Sequence, residues 1–201
     1  MRFDSHVVDL LKIAADLVNA QTCVHAGGRP AHVPSRRELR DELGGILARE
    51  GRRPAVEERD VRVLARFAQD ARRIFEAAAD EDLDSAAAAT NELLSWARPM
   101  PRLDKHGSAW DMHFHGPTDR LGDGWAAGCA AALTMALGSA GAGRLGVCAA
   151  PDCDRAYVDR SKNGTRSFCG IVCQNRVKNV RHRRTRRASR REPTRGSAAT
   201  A

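Results

Sequence analysis

Apolar residues recur three and four positions apart through the first hundred residues, which predicts a run of amphipathic helices. Val7, Leu10, Leu11, Ala14, Leu17 and Val18 mark one face of a first helix, with Ser5 placed to cap it and Gly27, Gly28 and Pro30 placed to end it. Ser35-Arg-Arg-Glu38 is a capping-box pattern, and Leu39, Leu43, Ile46 and Leu47 supply the second apolar face. A third helix is expected after Pro54, burying Val61, Leu64, Ala65, Ala68, Ala71 and Phe75. Asp82 or Asp84 opens a fourth, which runs through Ala86 to Trp96 and stops before Pro99.

The pattern then changes. Pro99, Pro101 and Gly107 read as loop, whereas Trp110-Asp-Met-His-Phe-His115 alternates as a strand does, so His113 and His115 share a face. Both are candidate ligand-binding residues, with His106 close enough in sequence to join them, although two histidines do not complete a metal sphere. No residue from Gly124 to Gly143 is charged, but alanine and glycine dominate, so the segment reads as a tightly packed buried helix and not as a membrane span.

Cysteine spacing adds a second kind of unit. Cys148 and Cys153 form C-x4-C, and Cys169 and Cys173 form C-x3-C after fifteen intervening residues, so four thiolates can converge on one tetrahedral zinc ion. A closed four-sulfur site leaves no position for water, which makes the metal structural. Pro151 and Asp152 supply a turn between the first two ligands. A strand at 155–158, a turn at Ser161-Lys-Asn-Gly164 and a return at 166–168 are expected to form a hairpin, with Cys169 and Cys173 at the start of a helix. Cys23 and Cys129 have no neighbour in sequence and read as small buried hydrophobes. The first twenty residues contain Asp4, Asp9 and Asp16 and so do not read as an export signal; a reducing cytoplasm, with free thiols for metal, is the expectation.

Charge is concentrated in the same unit. The chain carries a formal +8, yet residues 148–191 hold 13 Lys/Arg against three Asp, so the remainder is slightly acidic. Beyond Cys173 the arginines would surround most of a helix, leaving it exposed, and an extended polyanion is the natural partner. Candidate contacts to nucleic acid, and to duplex DNA if the resemblance described below holds, are Arg166, Arg176, Lys178, Arg181, Arg183, Arg184, Arg186 and Arg187. Charge alone does not separate DNA from structured RNA, but Tyr157 and Phe168 are the only aromatic residues near the cysteines, so base stacking has little support.

Cys148-x4-Cys153, Tyr157-Val158-Asp159, Ser161, Arg166, Phe168, Cys169 and Cys173-Gln174-Asn175-Arg176 resemble the C-terminal module of the bacterial CGNR zinc-finger family, with Gln174 where the family has glycine. The resemblance covers about 40 residues. It implies a treble-clef-like finger that binds one structural Zn2+ and duplex DNA, attached to a helical N-terminal domain that senses stress or a small-molecule effector. Arg176 either stabilises the finger or contacts DNA. The expected fold is mainly α with a small β component (α+β), comprising a helical sensor domain over 1–140, a Gly-rich hinge over 141–147, the finger and basic helix over 148–191 and a disordered tail over 192–201. The expected function is a cytoplasmic, nucleoid-associated transcriptional regulator with no membrane partner; one helix reads few base pairs, which favours a homodimer or a second contact surface. The alternatives are an RNA-associated zinc protein and an enzyme using the His106, His113 and His115 region. The enzyme reading is the weaker because no nucleophile elbow, phosphate loop or HExxH accompanies the histidines.

Overall fold

The computed structural model describes residues 5–139 and 142–189. In chain order the elements are α1 (Ser5–Thr22), β1 (His25–Ala26), β2 (Arg29–Pro30), α2 (Arg36–Ile46), α3 (Glu58–Ala79) and α4 (Leu83–Ala97). There follow β3 (Met100–His106), β4 (Ala109–His115), α5 (Leu121–Leu137), a 3-10 turn at Ala142–Arg144, β5 (Leu145–Val147), β6 (Ala156–Val158) and α6 (Ile171–Ser189). Each of the three sheets is an antiparallel pair of sequential strands, so the architecture is mainly α with a small β component. The expected tail over 192–201 lies outside the described residues.

Local chemistry sets the helix ends. At α2 the Ser35 hydroxyl accepts from Glu38 N at 3.3 Å and Ser35 N donates to the Glu38 carboxylate at 2.8 Å, closing the capping box. Asp82 caps α4 by accepting from Ser85 N at 3.0 Å, and Arg98 ends that helix in the left-handed region. Asp60 serves two helices at once. One carboxylate oxygen accepts from Glu57 N at the start of α3, and the other accepts from Gly122 N at the start of α5. A Cβ on Gly122 would lie 3.0 Å from the Asp60 backbone, so the close approach requires glycine.

The core forms where α1, α3, α4 and α5 meet. The six apolar positions expected for α1 are all buried, and Phe67, Ile74 and Phe75 of α3 complete the centre. α5 runs through this core on alanines and glycines whose small size lets α1, α3 and α4 come close. Among the described residues no helix is long and apolar enough to cross a membrane.

Three expectations change. Residues 100–106, read as loop, form β3 and pair with β4 from Met100↔His115 to His106↔Ala109. Pro101 fits because β3 is paired on one side only, where the absent N–H costs no ladder bond if it faces away. The same register places His106 at the turn end of the hairpin and His115 at the opposite end, so His106 does not join the other histidines. The described part of the hinge expected over 141–147 is regular structure instead: Ala142–Arg144 form the 3-10 turn, and residue 141 lies outside the described residues. Residues 145–147 are β5, and Leu145 (3% exposed) lies in the same apolar cluster as the helices, together with Ala156 of β6 (2%). Gly146 is glycine because it makes room for the Tyr157 ring, which a Cβ would approach to 2.9 Å.

Candidate metal centre

β5 and β6 pair in the register Leu145↔Val158 and Val147↔Ala156, and Cys148 N donates to Arg155 O at 2.9 Å, so the turn from 148 to 155 projects as a knuckle. This is a different hairpin from the expected one: residues 166–168 form no strand, and Ala149 N instead donates to Ser167 O at 2.9 Å. Asp152 takes φ 51° in the turn. Cys173 lies in the first turn of α6 and Cys169 just before it, so both knuckle and helix start present sulfur to one point.

All four sulfurs lie within 4.8 Å of one another. The separations are 3.8 Å for Cys153–Cys169 and 3.7 Å for both Cys169–Cys173 and Cys173–Cys153. A tetrahedron with Zn–S bonds near 2.3 Å has edges of about 3.8 Å, so the spacing fits zinc. Cys148, Cys153 and Cys173 are buried, Cys169 is half-buried, and Ala150, Phe168 and Val177 pack around them. The donor set therefore holds one structural zinc ion. Burial, then repulsion by Cys148, pushes the Cys169 thiol up; at Cys153 burial acts the same way, but N–H groups of Gly27 and Arg155 together with contacts to Cys173 and Cys148 bring the thiol down to about 7. A cation among these groups removes the conflict by stabilising every thiolate.

The surrounding loop is held by Asp159, only 2% exposed, whose carboxylate accepts from Ser161 N at 2.7 Å and Arg166 N at 2.8 Å. Burial opposes ionisation, but these donors and the Arg144 guanidinium keep the carboxyl below its usual range. Its contribution to stability is thus fully present above the unfolded value near pH 4 and is lost as pH falls through the lower folded value. Asp159→Ala leaves both N–H groups unmatched and is expected to cost about 2–4 kcal/mol in urea denaturation at neutral pH; a change below about 0.5 kcal/mol contradicts this role.

Arg166 and Arg176, expected as DNA contacts, spend their guanidinium groups on carbonyls of the finger itself. Arg166 Nε donates to Phe168 O at 2.7 Å, another of its nitrogens donates to Cys169 O, and its guanidinium lies over the Tyr157 ring at 5.2 Å. Arg176 donates to Pro151 O and packs against Gly28, where a Cβ would come within 2.8 Å of the guanidinium. Arg166 thus ties the segment before α6 to β6, and Arg176 ties α6 to the knuckle. Lys178, Arg181, Arg183 and Arg186 are exposed on α6, and Arg184 and Arg187 lie on the same helix.

No local pattern in the chain announces how the finger is seated on the helical body. Asp154, next to Cys153, accepts from Val24 N and His25 N, each at 2.9 Å, while Arg72 of α3 donates to both its carboxylate and its carbonyl. Cys23, read as a buried hydrophobe, is half-buried with its sulfur 2.9 Å from Asp154; burial, then that carboxylate, pushes the thiol up to about 12, so it acts as a donor. Cys129 is fully buried, as expected. Asn19 of α1 completes the seat by donating to Ala156 O at 2.9 Å and accepting from Ala156 N at 2.8 Å.

Knuckle, hairpin and helix around four sulfurs define a treble-clef-like structural zinc module built into a helical body. Within that class, residues 144–187 match the family model of the CGNR zinc finger. No curated protein matches the chain.

His113 and His115 lie together on β4 against α1 and α5. The His113 ring meets the His6 ring edge-on at 4.8 Å, and His115 Nε2 is 2.8 Å from the Asp104 carboxylate.

Proposed function

We propose that the protein is a zinc-dependent transcriptional regulator whose α6 binds duplex DNA and whose helical body answers to a ligand or stress signal. The observation that carries the reading is the exposed basic surface of α6, fixed at its root by the zinc centre. Asn175, Asn179 and Arg183 are exposed and four residues apart, so they follow one side of the helix. Asparagine and arginine are the side chains suited to adenine and guanine edges in a major groove, while Lys178, Arg181 and Arg186 suit phosphate. One such helix spans few base pairs, so operators with two half-sites and a homodimer on them are expected.

The two kinds of basic residue separate by experiment. Lys178→Ala is expected to weaken binding to a duplex and to lower the slope of log affinity against log salt by up to about 0.9, with an unchanged melting temperature. Arg176→Ala is expected to lower the melting temperature and zinc affinity instead. The reading fails if Lys178→Ala leaves both affinity and salt slope unchanged. Competition with structured RNA under the same conditions completes the test: preference for RNA would make the protein an RNA-associated zinc protein.

A further inference from the structure

The hairpin of β3 and β4 turns its polar side to the body. Cross-strand partners share a face, so the register puts Pro101, Leu103 and Lys105 with Phe114, Met112 and Trp110 on one side, and Arg102 and Asp104 with His113 and Asp111 on the other. An antiparallel pair with one wet face ordinarily buries its apolar side. Here Asp104, His113 and His115 are the half-buried residues, and the His113 ring meets His6 of α1. The apolar side faces out, with Leu103 65%, Trp110 62% and Met112 49% exposed, and among the described residues nothing covers them. We propose that this face binds a second copy of the chain, apolar side against apolar side about a two-fold axis. The proposal rests on the reading above for its expectation of a homodimer, and it supplies the surface.

Area and charge select the occupant. A two-stranded hairpin is marginal on its own and gains from cover on its apolar side. Leu103, Trp110 and Met112 together leave roughly 400 Å² open, as much as the largest apolar patch of an ordinary monomer, which is often functional. Interfaces are little more than half apolar, so this patch fits an interface of about 700 Å² on each copy, close to the standard ~800 Å². Residues 100–115 carry Arg102 and Lys105 against Asp104 and Asp111, so the hairpin is neutral in a chain of formal charge +8. Two copies therefore meet there without the repulsion that basic surfaces would bring, whereas an anionic lipid surface finds no basic rim to hold.

The face is also compatible with its own symmetry. Lys105, which carries the charge of the apolar side, lies over its own Trp110 ring at 5.9 Å, near the turn. Laying the turn of each hairpin over the base of the other sets Trp110 against Pro101 and Phe114 of the other copy and keeps the two ammonium groups apart. The patch lies away from the finger as well. The hairpin meets α1 at His6, in its first turn, whereas the finger is gripped by Asn19 near the last. These positions are about 20 Å apart along the helix, so pairing through the hairpin leaves both α6 helices open to a duplex.

Sedimentation equilibrium of the full zinc-loaded chain, without DNA, tests the proposal. A dimer with a dissociation constant of about 10 µM or tighter is expected. Leu103→Lys and Met112→Lys, made separately, each set two like charges in the joint and should weaken it about a hundredfold. Helix content by circular dichroism should stay unchanged in both, because each side chain stands in solvent in the single chain. The proposal is overturned if the chain is monomeric at about 100 µM, or if both folded variants associate as the unaltered chain does. A monomeric chain that instead binds phosphatidylcholine vesicles, and loses that binding in the two variants, would give the face to lipid and overturn it as well. With no DNA present, a monomer leaves duplex binding by α6 to its own titration, and failure of duplex binding leaves the dimer standing.

Discussion

Chelating the zinc is expected to release α6 and the loop before it while α1 to α5 keep their packing. Among the described residues the sulfur cluster has only Ala150, Phe168 and Val177 for apolar support, and residues 159–170 contain no regular element. A unit with so little buried surface depends on its metal, which in small zinc fingers contributes about 10–16 kcal/mol of apparent binding free energy. The helical body has its own core around Phe67, Phe75, Leu17 and Leu133. β5 and β6 belong on that side of the boundary, since Leu145 and Ala156 are buried in it and Asn19 holds the Ala156 backbone from both sides. Hydrogen exchange should therefore show α6 amides losing protection on chelation, with α3 amides and Ala156 N–H still protected. Circular dichroism should lose no more helix than the 19 residues of α6. Unfolding of the whole chain on chelation, or an α6 that ignores it, would contradict the division.

The second large effect is expected at Asp154. Asp154→Ala removes the acceptor for Val24 N and His25 N and leaves Arg72, with a side chain only 10% exposed, facing a vacated site. Losing one partner of a buried ion pair costs about 3–5 kcal/mol; because the Asp154 side chain is 34% exposed, solvent screening places the expected loss near the lower end, at about 3 kcal/mol. Arg72→Ala should cost a similar amount. The double variant should lose less than the sum by at least about 1 kcal/mol, because each single change already breaks the shared bonds. Urea denaturation of the four zinc-loaded proteins measures this, and strict additivity would show that the two residues act separately.

What the sequence made legible was local. The α1 face, the Ser35 capping box and the stop before Pro99 depend on residues within a few positions of one another, and the structure reproduces each. The zinc ligands were legible for the same reason: two close pairs of cysteine in a chain that reads as reducing leave few other chemistries. What escaped depends on distant partners. Nothing near Asp154 in sequence announces Arg72, Val24 or Asn19, and the glycines before Cys148 read as a hinge because the close contact of Gly146, the Tyr157 ring, comes from the other strand. Arg166 and Arg176 belong to a basic run by composition, and only folding turns them onto carbonyls inside the finger. The finger was expected to move on a flexible joint. Its knuckle is instead seated on α1 and α3, so any signal from the body reaches α6 through packed elements and the zinc centre.

The most direct test is a titration of duplex DNA at several salt concentrations with the zinc-loaded protein and with the same protein after chelation. The account predicts that the loaded protein binds with an affinity that falls steeply as salt rises, as expected for release of several phosphate counterions, and that chelation abolishes binding while α1 to α5 stay folded. Affinity indifferent to both salt and zinc would contradict it.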